Sequence, residues 1–281
     1  MQYAEHQTEY TDLFDKDSSH QNYEEDVQLT GFGLAPVKAE GAGVAYDSEI
    51  QGFTTRYTHV AYALGYIVTK EELDDNLYES VSKRRAAALA MSFRQTKENI
   101  GANIYNRAFT TGYVGGDGVT LINTAHPVAN GLTYSNQLTT PAALSQTSVE
   151  QMLIQIRSAV DNNGKRIRLK AEQLVVPPAL EFQAEVILKS VLRSGTADND
   201  LNPIKSTGML PKGTHVVTRL SSSKAWWIQT DAENGLMLVM RRPMEKSMEG
   251  DFETDSMRYK ATERYATGWH DARNVYGTAG V

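Results

Sequence analysis

From Thr69 onward nearly sixty residues pass without a proline before Pro127, and most of that run has the periodicity of a single helix. Thr69-Lys70-Glu71-Glu72 reads as a capping box, in which the threonine hydroxyl and a glutamate carboxylate satisfy the first free amides of a helix. Behind it Leu73, Leu77, Val81, Ala88, Phe93, Ile100 and Ile104 recur at near-helical spacing. The spacing predicts a helix over 70–108, about 58 Å long if unbroken, with Asp74-Asp75-Asn76 as the place where it would break. Such a rod is far longer than the helix of an ordinary globular domain. It is preceded by Val37 to Val68, rich in Val, Tyr, Thr and Ala, which predicts extended strands bent at Gly41, Gly43 and Gly52. An excursion of that kind cannot bury both faces against its own fold, so it needs a neighbour.

Downstream, residues 110–145 are turns and short strands around Gly112, Gly115, Gly116, Gly118 and Asn130-Gly131. Thr147-Ser148-Val149-Glu150 reads as a second capping box, followed by Val149, Met152, Leu153, Ile156 and Val160 on one face and a stop at Asn163-Gly164. Glu172 to Val176 predicts a buried strand, and Pro177-Pro178 opens a helix running through Ala179 to Arg193 and ending at Gly195. Helix, strand and helix in that order indicate a compact α/β layer. The stretch 194–213 predicts a long surface loop. Strands follow at His215–Thr218, Ala225–Thr230 and Leu236–Met240, the last two joined by a turn at Asn234-Gly235, and Ser256 to Trp269 reads as one long strand.

Several function classes are excluded by composition. No cysteine is present, which removes disulfides, thiolate nucleophiles and cysteine-based metal sites. No run approaches the roughly 18 to 20 apolar residues of a spanning helix, and Met1 is followed by polar, acidic sequence, so synthesis in the cytoplasm is expected. The net charge is −6, but residues 1–30 hold eight acids against Lys16, a net of −7, and the remainder is near neutral. That distribution argues against a dedicated DNA-binding surface. An acidic arm with few large aliphatics is expected to be ordered only by a partner.

Six histidines (His6, His20, His59, His126, His215, His270) form no HExxH pair. No nucleophile elbow occurs, and neither Gly164-Lys165 nor Lys212-Gly213-Thr214 completes a phosphate-binding loop. The glycines from Gly112 to Gly118 follow a helix and form a turn, and Glu71-Glu72 and Asp74-Asp75 sit where a helix dipole favours acids. His126, before Pro127, is expected to hydrogen-bond rather than to act as a base. Trp226-Trp227 sends one indole to each face of a strand, for core and subunit packing. Catalytic residues, cofactor-binding residues and metal ligands are therefore all assigned as none.

Four blocks, taken in order, carry a resemblance. They are Glu40-Gly41 through Tyr46-Asp47 and Gly52-Phe53 to Tyr62-Ala63-Leu64-Gly65-Tyr66, closed by Ile67-Val68-Thr69-Lys70-Glu71; the long helix ending Asn106-Arg107-Ala108-Phe109, then Asn123-Thr124-Ala125-His126-Pro127; Gln173-Leu174-Val175-Val176-Pro177-Pro178, Asn202-Pro203 and Lys224-Ala225-Trp226-Trp227-Ile228; and Arg264-Tyr265 with Gly268-Trp269-His270-Asp271-Ala272-Arg273. Each is weak alone, but their order across nearly the whole chain resembles the major capsid protein family of tailed bacteriophages, in particular Mu-like head subunits with the Hong Kong 97 fold.

The resemblance implies an α+β fold with an N-terminal arm (1–34), an extended E-loop (35–65), a peripheral domain (66–145, its spine helix about 70–108), an axial domain (146–239) and a return to the peripheral domain (240–281). It implies self-assembly into hexamers and pentamers of an icosahedral shell around packaged double-stranded DNA, in a virion assembled in the host bacterial cytoplasm. About 65 residues precede the spine helix, too few for the built-in scaffolding segment of some relatives. A separate scaffolding protein is thus expected, with a portal and a decoration protein as further partners; no membrane contact and no cross-link residues are assigned. Lys83-Arg84-Arg85, the sharpest basic cluster, is a candidate DNA contact, but the charge balance of its helix favours a solvated or intersubunit face. An encapsulin-like compartment shell and a soluble hydrolase are the alternative readings.

Overall fold

The computed structural model describes residues 8–75, 78–128, 131–192 and 200–281. Contacts divide the chain into two compact units: the first takes residues up to Glu24, Tyr57–Ile104 and Leu236–Gly268, the second Glu25–Arg56, Tyr105–Gly235 and Trp269–Val281.

The first unit is built on a four-stranded sheet in the order β1-β10-β11-β4, with β1 at Asp15–Ser18, β4 at Val60–Val68, β10 at Leu236–Gly250 and β11 at Met257–Trp269. β11 runs antiparallel to β4, from Met257 opposite Val68 to Tyr265 opposite Val60. Tyr259 and Tyr66 stack at 5.0 Å across this ladder and Tyr265 and Tyr62 at 4.7 Å, the cross-strand aromatic pairs that hold a partly exposed sheet in register. The expected strand 236–240 is in fact fifteen residues long. Its second half, Arg241 to Gly250, reads as polar loop, and only the ladder to β11 makes it a strand.

The predicted rod is two helices, α1 (Lys70–Asp74) and α2 (Tyr78–Asn106). The break falls where the acid pair stands: α1 closes at Asp75. Thr69 Oγ1 accepts from the Glu72 amide at 3.3 Å, which is the threonine half of the expected box. At 29 residues α2 is about 43 Å long. Its buried side chains are Ala90, Phe93, Lys97, Glu98, Ala102 and Tyr105, whereas Ala88 is exposed; Leu77 and the Val81 side chain lie outside the described residues. A charged pair among them and small residues beside it hid the true face from a hydrophobicity reading. Gly101 is part of that fit, since a Cβ there would stand 3.0 Å from Tyr10 Cβ and 3.3 Å from Phe14.

The arm corrects an expectation. Leu13 and Phe14 are buried, the amides of Glu9 and Tyr10 donate to Glu98 at 3.1 Å each, and β1 pairs in parallel with β10 from Asp15 opposite Met237 to Ser18 opposite Met240. β2 (Tyr23–Leu29) pairs with β3 (Gln51–Thr58). Residues 8–29 are thus ordered by their own chain, because the two apolar side chains and the free backbone edge supply what the acidic composition conceals.

The second unit centres on a sheet in the order β12-β9-β7-β8, comprising β7 (Ala171–Val176), β8 (Gly213–Val216), β9 (Trp226–Thr230) and β12 (Val275–Thr278). β7 is parallel to β8 and antiparallel to β9. On one face Leu174, Val176, Trp226, Ile228 and Tyr276 meet Val149, Met152 and Ile156 of α3 (Gln146–Arg157), Ala184 and Ile187 of α4 (Glu181–Lys189) and Ile204 of α5 (Pro203–Thr207). Each buried Val, Leu, Ile or Met among them contributes about 1.5 to 3 kcal/mol by leaving water. A short two-stranded ladder, β5 (His126–Pro127) with β6 (Thr133–Tyr134), completes the regular structure.

Helix limits in this unit depart from expectation for local reasons. α3 is capped by Ser145, whose hydroxyl accepts from Ser148 N at 3.2 Å while Ser148 Oγ accepts from Ser145 N at 3.0 Å, so it begins before Thr147. It stops at Arg157, and Asn163-Gly164 instead turns a loop in which Val160 bridges to Arg166. α4 ends at Lys189 rather than Arg193, which lies outside the described residues: Ser190 is extended and Asn202 Nδ2 donates to the carbonyls of Ile187 (2.7 Å) and Ser190 (3.1 Å). The predicted loop 194–213 contains α5, with Asn202 as cap, Pro203 in the first turn and Gly208 left-handed at φ 58°. Residues 194–199 of that loop lie outside the described residues. Finally, 31–50 forms no strand; the extended run begins only at Gln51.

Candidate interaction surfaces

Several polar side chains buried in the protein pin separate segments together. His126 Nδ1 lies 2.6 Å from Asp117 Oδ2 and its Nε2 lies 3.1 Å from Asn136 Oδ1. Asn136 also accepts from the Asn123 amide at 2.8 Å and donates Nδ2 to the carbonyls of Leu121, Ala272 and Val275 at 2.7, 3.1 and 2.9 Å. One amide thereby ties three segments together. Both imidazole nitrogens are thereby engaged by neighbouring side chains. Tyr134 stacks on His126 at 4.9 Å with the Arg273 guanidinium 4.1 Å from its ring, and burial pushes its hydroxyl well above the ordinary tyrosine range.

In the first unit Lys97 and Glu263 form an ion pair at 2.6 Å, with Lys97 Nζ 5.6 Å from the Tyr265 ring centroid. Both are buried. Burial raises the Glu263 carboxyl above its ordinary range while Lys97 opposes that shift. Among the described residues no cluster of three or more His, Cys, Asp or Glu could hold a metal ion.

The sites singled out in the sequence are dispersed by the structure. Arg85 is spent on Glu72 at 2.8 Å, Arg84 is exposed, and the Lys83 side chain lies outside the described residues. Trp226 and Trp227 are fully buried on opposite faces of β9. Trp226 lies in the apolar cluster and donates Nε1 to Ala142 O at 3.1 Å, and Trp227 meets Tyr105 edge-on at 5.4 Å. Gly277 is required opposite it, since a Cβ would run into the Trp227 ring.

Apolar side chains stand instead at the surface. Between Gly31 and Ile50, Val37 and Tyr46 are almost wholly exposed, at 101% and 96%. The base of this loop is held by Asp47, which accepts from Gly33 N at 2.6 Å and from Ser48 N at 2.9 Å; those amides hold its carboxyl below the usual range. Asn163 Nδ2 donates to Thr30 O at 2.8 Å, and Lys165 Nζ donates to Phe32 O. In the first unit the tip between β10 and β11 carries Phe252, 99% exposed. Each of these surfaces leaves apolar side chains open to a partner. One basic run escaped the sequence reading, Lys165-Arg166-Ile167-Arg168-Leu169-Lys170, whose alternation of cation and aliphatic was its signal.

The sequence profile of a family described as phage capsid protein matches residues 52–277. Among curated proteins no sequence is significantly similar. Solved structures share the fold at low identity. That of Microbacterium phage Oxtober96 is 10% identical with a TM-score of 0.53, covering 96% of this chain and 90% of its own. The capsid structure of the Cyanophage P-SCSP1u is 10% identical with a TM-score of 0.57, covering 95% and 86%. The capsid of the native GTA particle is 13% identical with a TM-score of 0.56, covering 97% and 90%.

Proposed function

Because the chain belongs to the phage capsid protein family, we propose that its exposed segments are the joints of an icosahedral shell and its buried polar groups the pins within each folded unit. The protein is a shell-forming capsid subunit of the Hong Kong 97 type, and members of its family are parts of the virion. One observation carries the reading: a loop of about twenty residues whose aliphatic and aromatic side chains stand largely exposed in the single chain.

In this reading residues 1–34 are the N-terminal arm, 35–65 the E-loop, 66–145 and 240–281 the peripheral domain and 146–239 the axial domain. The length of α2 and the packing of three helices on the sheet of the second unit support the division. The subunits form hexamers and pentamers and enclose double-stranded DNA, with assembly in the host bacterial cytoplasm. A separate scaffolding protein, a portal and a decoration protein complete the particle. We assign no catalytic role. Many weak repeated contacts replace chemistry, and their multiplicity makes the container stable.

Negative-stain microscopy of the protein, expressed alone and with its neighbouring head genes, tests the proposal together with an analysis of what the particles hold. Closed shells that fill with DNA are expected. Shells holding an enzyme through a short cargo peptide would favour the encapsulin-like alternative, and a species monomeric under every condition would remove the capsid reading.

A further inference from the structure

A basic groove of about 600 Å³ opens in the second unit where the C-terminal end of α3 meets the segment leading into β7 and the turn after α5. Arg157, Arg166, Arg168 and Lys170 stand on its walls, with Leu169 and Met209 half-buried between them. None of the four cations has an ion pair among the described residues, and the acid on the wall, Glu172, is held by Lys212. Four unpaired cations around an apolar floor are an arrangement that a carboxylate-bearing apolar segment satisfies.

The same unit displays such a segment elsewhere. α4 turns Ala184 and Ile187 inward and leaves Glu181, Phe182, Glu185 and Val186 outward, with Phe182 81% and Val186 51% exposed. Glu181 has no ion pair among the described residues, and Glu185 has only Lys189 of its own helix. The spacings agree. Residues one helical turn apart, such as Glu181 and Glu185, are separated by about 6 Å along the axis. Alternate residues of an extended segment, such as Arg166, Arg168 and Lys170, are separated by about 6.6 Å. Two carboxylates can therefore face two cations at once while Phe182 and Val186 enter the space between them.

The two surfaces stand at opposite ends of one strand: the groove opens at Ala171, the first residue of β7, and α4 begins five residues beyond Val176, its last. A subunit with complementary patches on separate ends associates head to tail, and such a contact closes into a ring when its rotation allows. We propose that the acidic, apolar face of α4 in one copy docks in the Arg166/Arg168 groove of the next, forming the lateral contact within a capsomer. The inference rests on the shell-forming reading above and names the residues through which one capsomer neighbour grips another.

A charge swap on the assembled protein tests it, read by sedimentation and electron microscopy. R166E/R168E and E181R/E185R should each lower capsomer yield at least about tenfold, as like charges come to face one another. The quadruple variant carrying both changes should recover most of the yield, a rescue that misfolding or general loss of charge would not give. F182S should weaken assembly with an unchanged thermal melt of the free subunit. Normal assembly of either double variant, or two failing doubles with no rescue in the quadruple, would overturn the pairing while wild-type shells leave the capsid reading standing. Normal assembly with loss of retained DNA would overturn it too and assign the cations to nucleic acid. A wild type that never assembles would sink both.

Discussion

Two regions of the second unit obey opposite rules. The sheet β12-β9-β7-β8 buries Leu174, Trp226 and Ile228 completely, and the hydrogen bonds of Asn136 close the polar gaps around it. Residues 31–50 carry comparable apolar side chains, Leu34, Val37, Val44, Tyr46 and Ile50, and leave them in water. The first region is satisfied by its own chain and therefore specifies a fold. The second is unsatisfied, pinned at its base by Asp47, and therefore specifies a neighbour. In a shell-forming subunit stability and association reside in different residues, which mutation can separate.

The largest effects should come from the satisfied side. Trp226→Ala removes a fully buried indole and is expected to destabilise the free subunit by about 3 to 5 kcal/mol in denaturant unfolding. V37S/Y46S should shift the same transition by less than about 0.5 kcal/mol and yet depress shell yield. Equal effects of the two on unfolding would erase the distinction between the regions.

Lys97→Met comes next. It leaves Glu263 buried without its cation, for an expected loss of about 3 kcal/mol, and K97M/E263L should recover most of it. The sign of its pH dependence follows from burial, which raises the Glu263 carboxyl. A carboxyl raised in the folded state adds stability below its unfolded pKa and loses that contribution as pH rises through the folded value. Without Lys97 opposing it the shift grows, so the single variant should lose less stability in acid than at neutral pH. Thermal melts across that range decide it, and a variant weaker in acid would contradict the assignment.

Asn136→Leu should cost about 2 kcal/mol, because three carbonyls and the His126 ring lose their shared partner. The smallest effect belongs to Asp47. Its carboxyl is held low by the Gly33 and Ser48 amides, so the loop base is fully closed above the ordinary carboxylate pKa and opens as pH falls through the lowered folded value. The two amide resonances should titrate together at a pH below that of an unperturbed aspartate, and D47N should abolish the titration.

Much of this architecture was legible, and the failures have physical causes. The helix signal after Thr69, the strand at 172–176, the turn at Asn234-Gly235 and the burial of both tryptophans follow from capping, periodicity and turn chemistry. α5 was missed although Asn202, Pro203 and Gly208 spell its start and stop, because a five-residue helix hides in a loop-like composition. The far half of β10 was invisible because a polar strand is defined by its partner, not by its own residues. The arm was misread because its acids outweigh the two side chains, Leu13 and Phe14, that anchor it. Lys97 and Glu263 lie far apart in sequence, and no local pattern reports their meeting.

Hydrogen exchange of residues 31–50, compared between free subunits and closed shells, tests most directly the claim that this segment is completed by a neighbour. In free subunits these amides should exchange with little protection, since 31–50 forms no strand and most of its residues are exposed. In shells they should slow by at least about tenfold, while the amides of β7 and β9 stay protected in both states. Equal exchange of 31–50 in the two states would contradict the account, because the loop would then remain as uncovered in the particle as it is in the single chain.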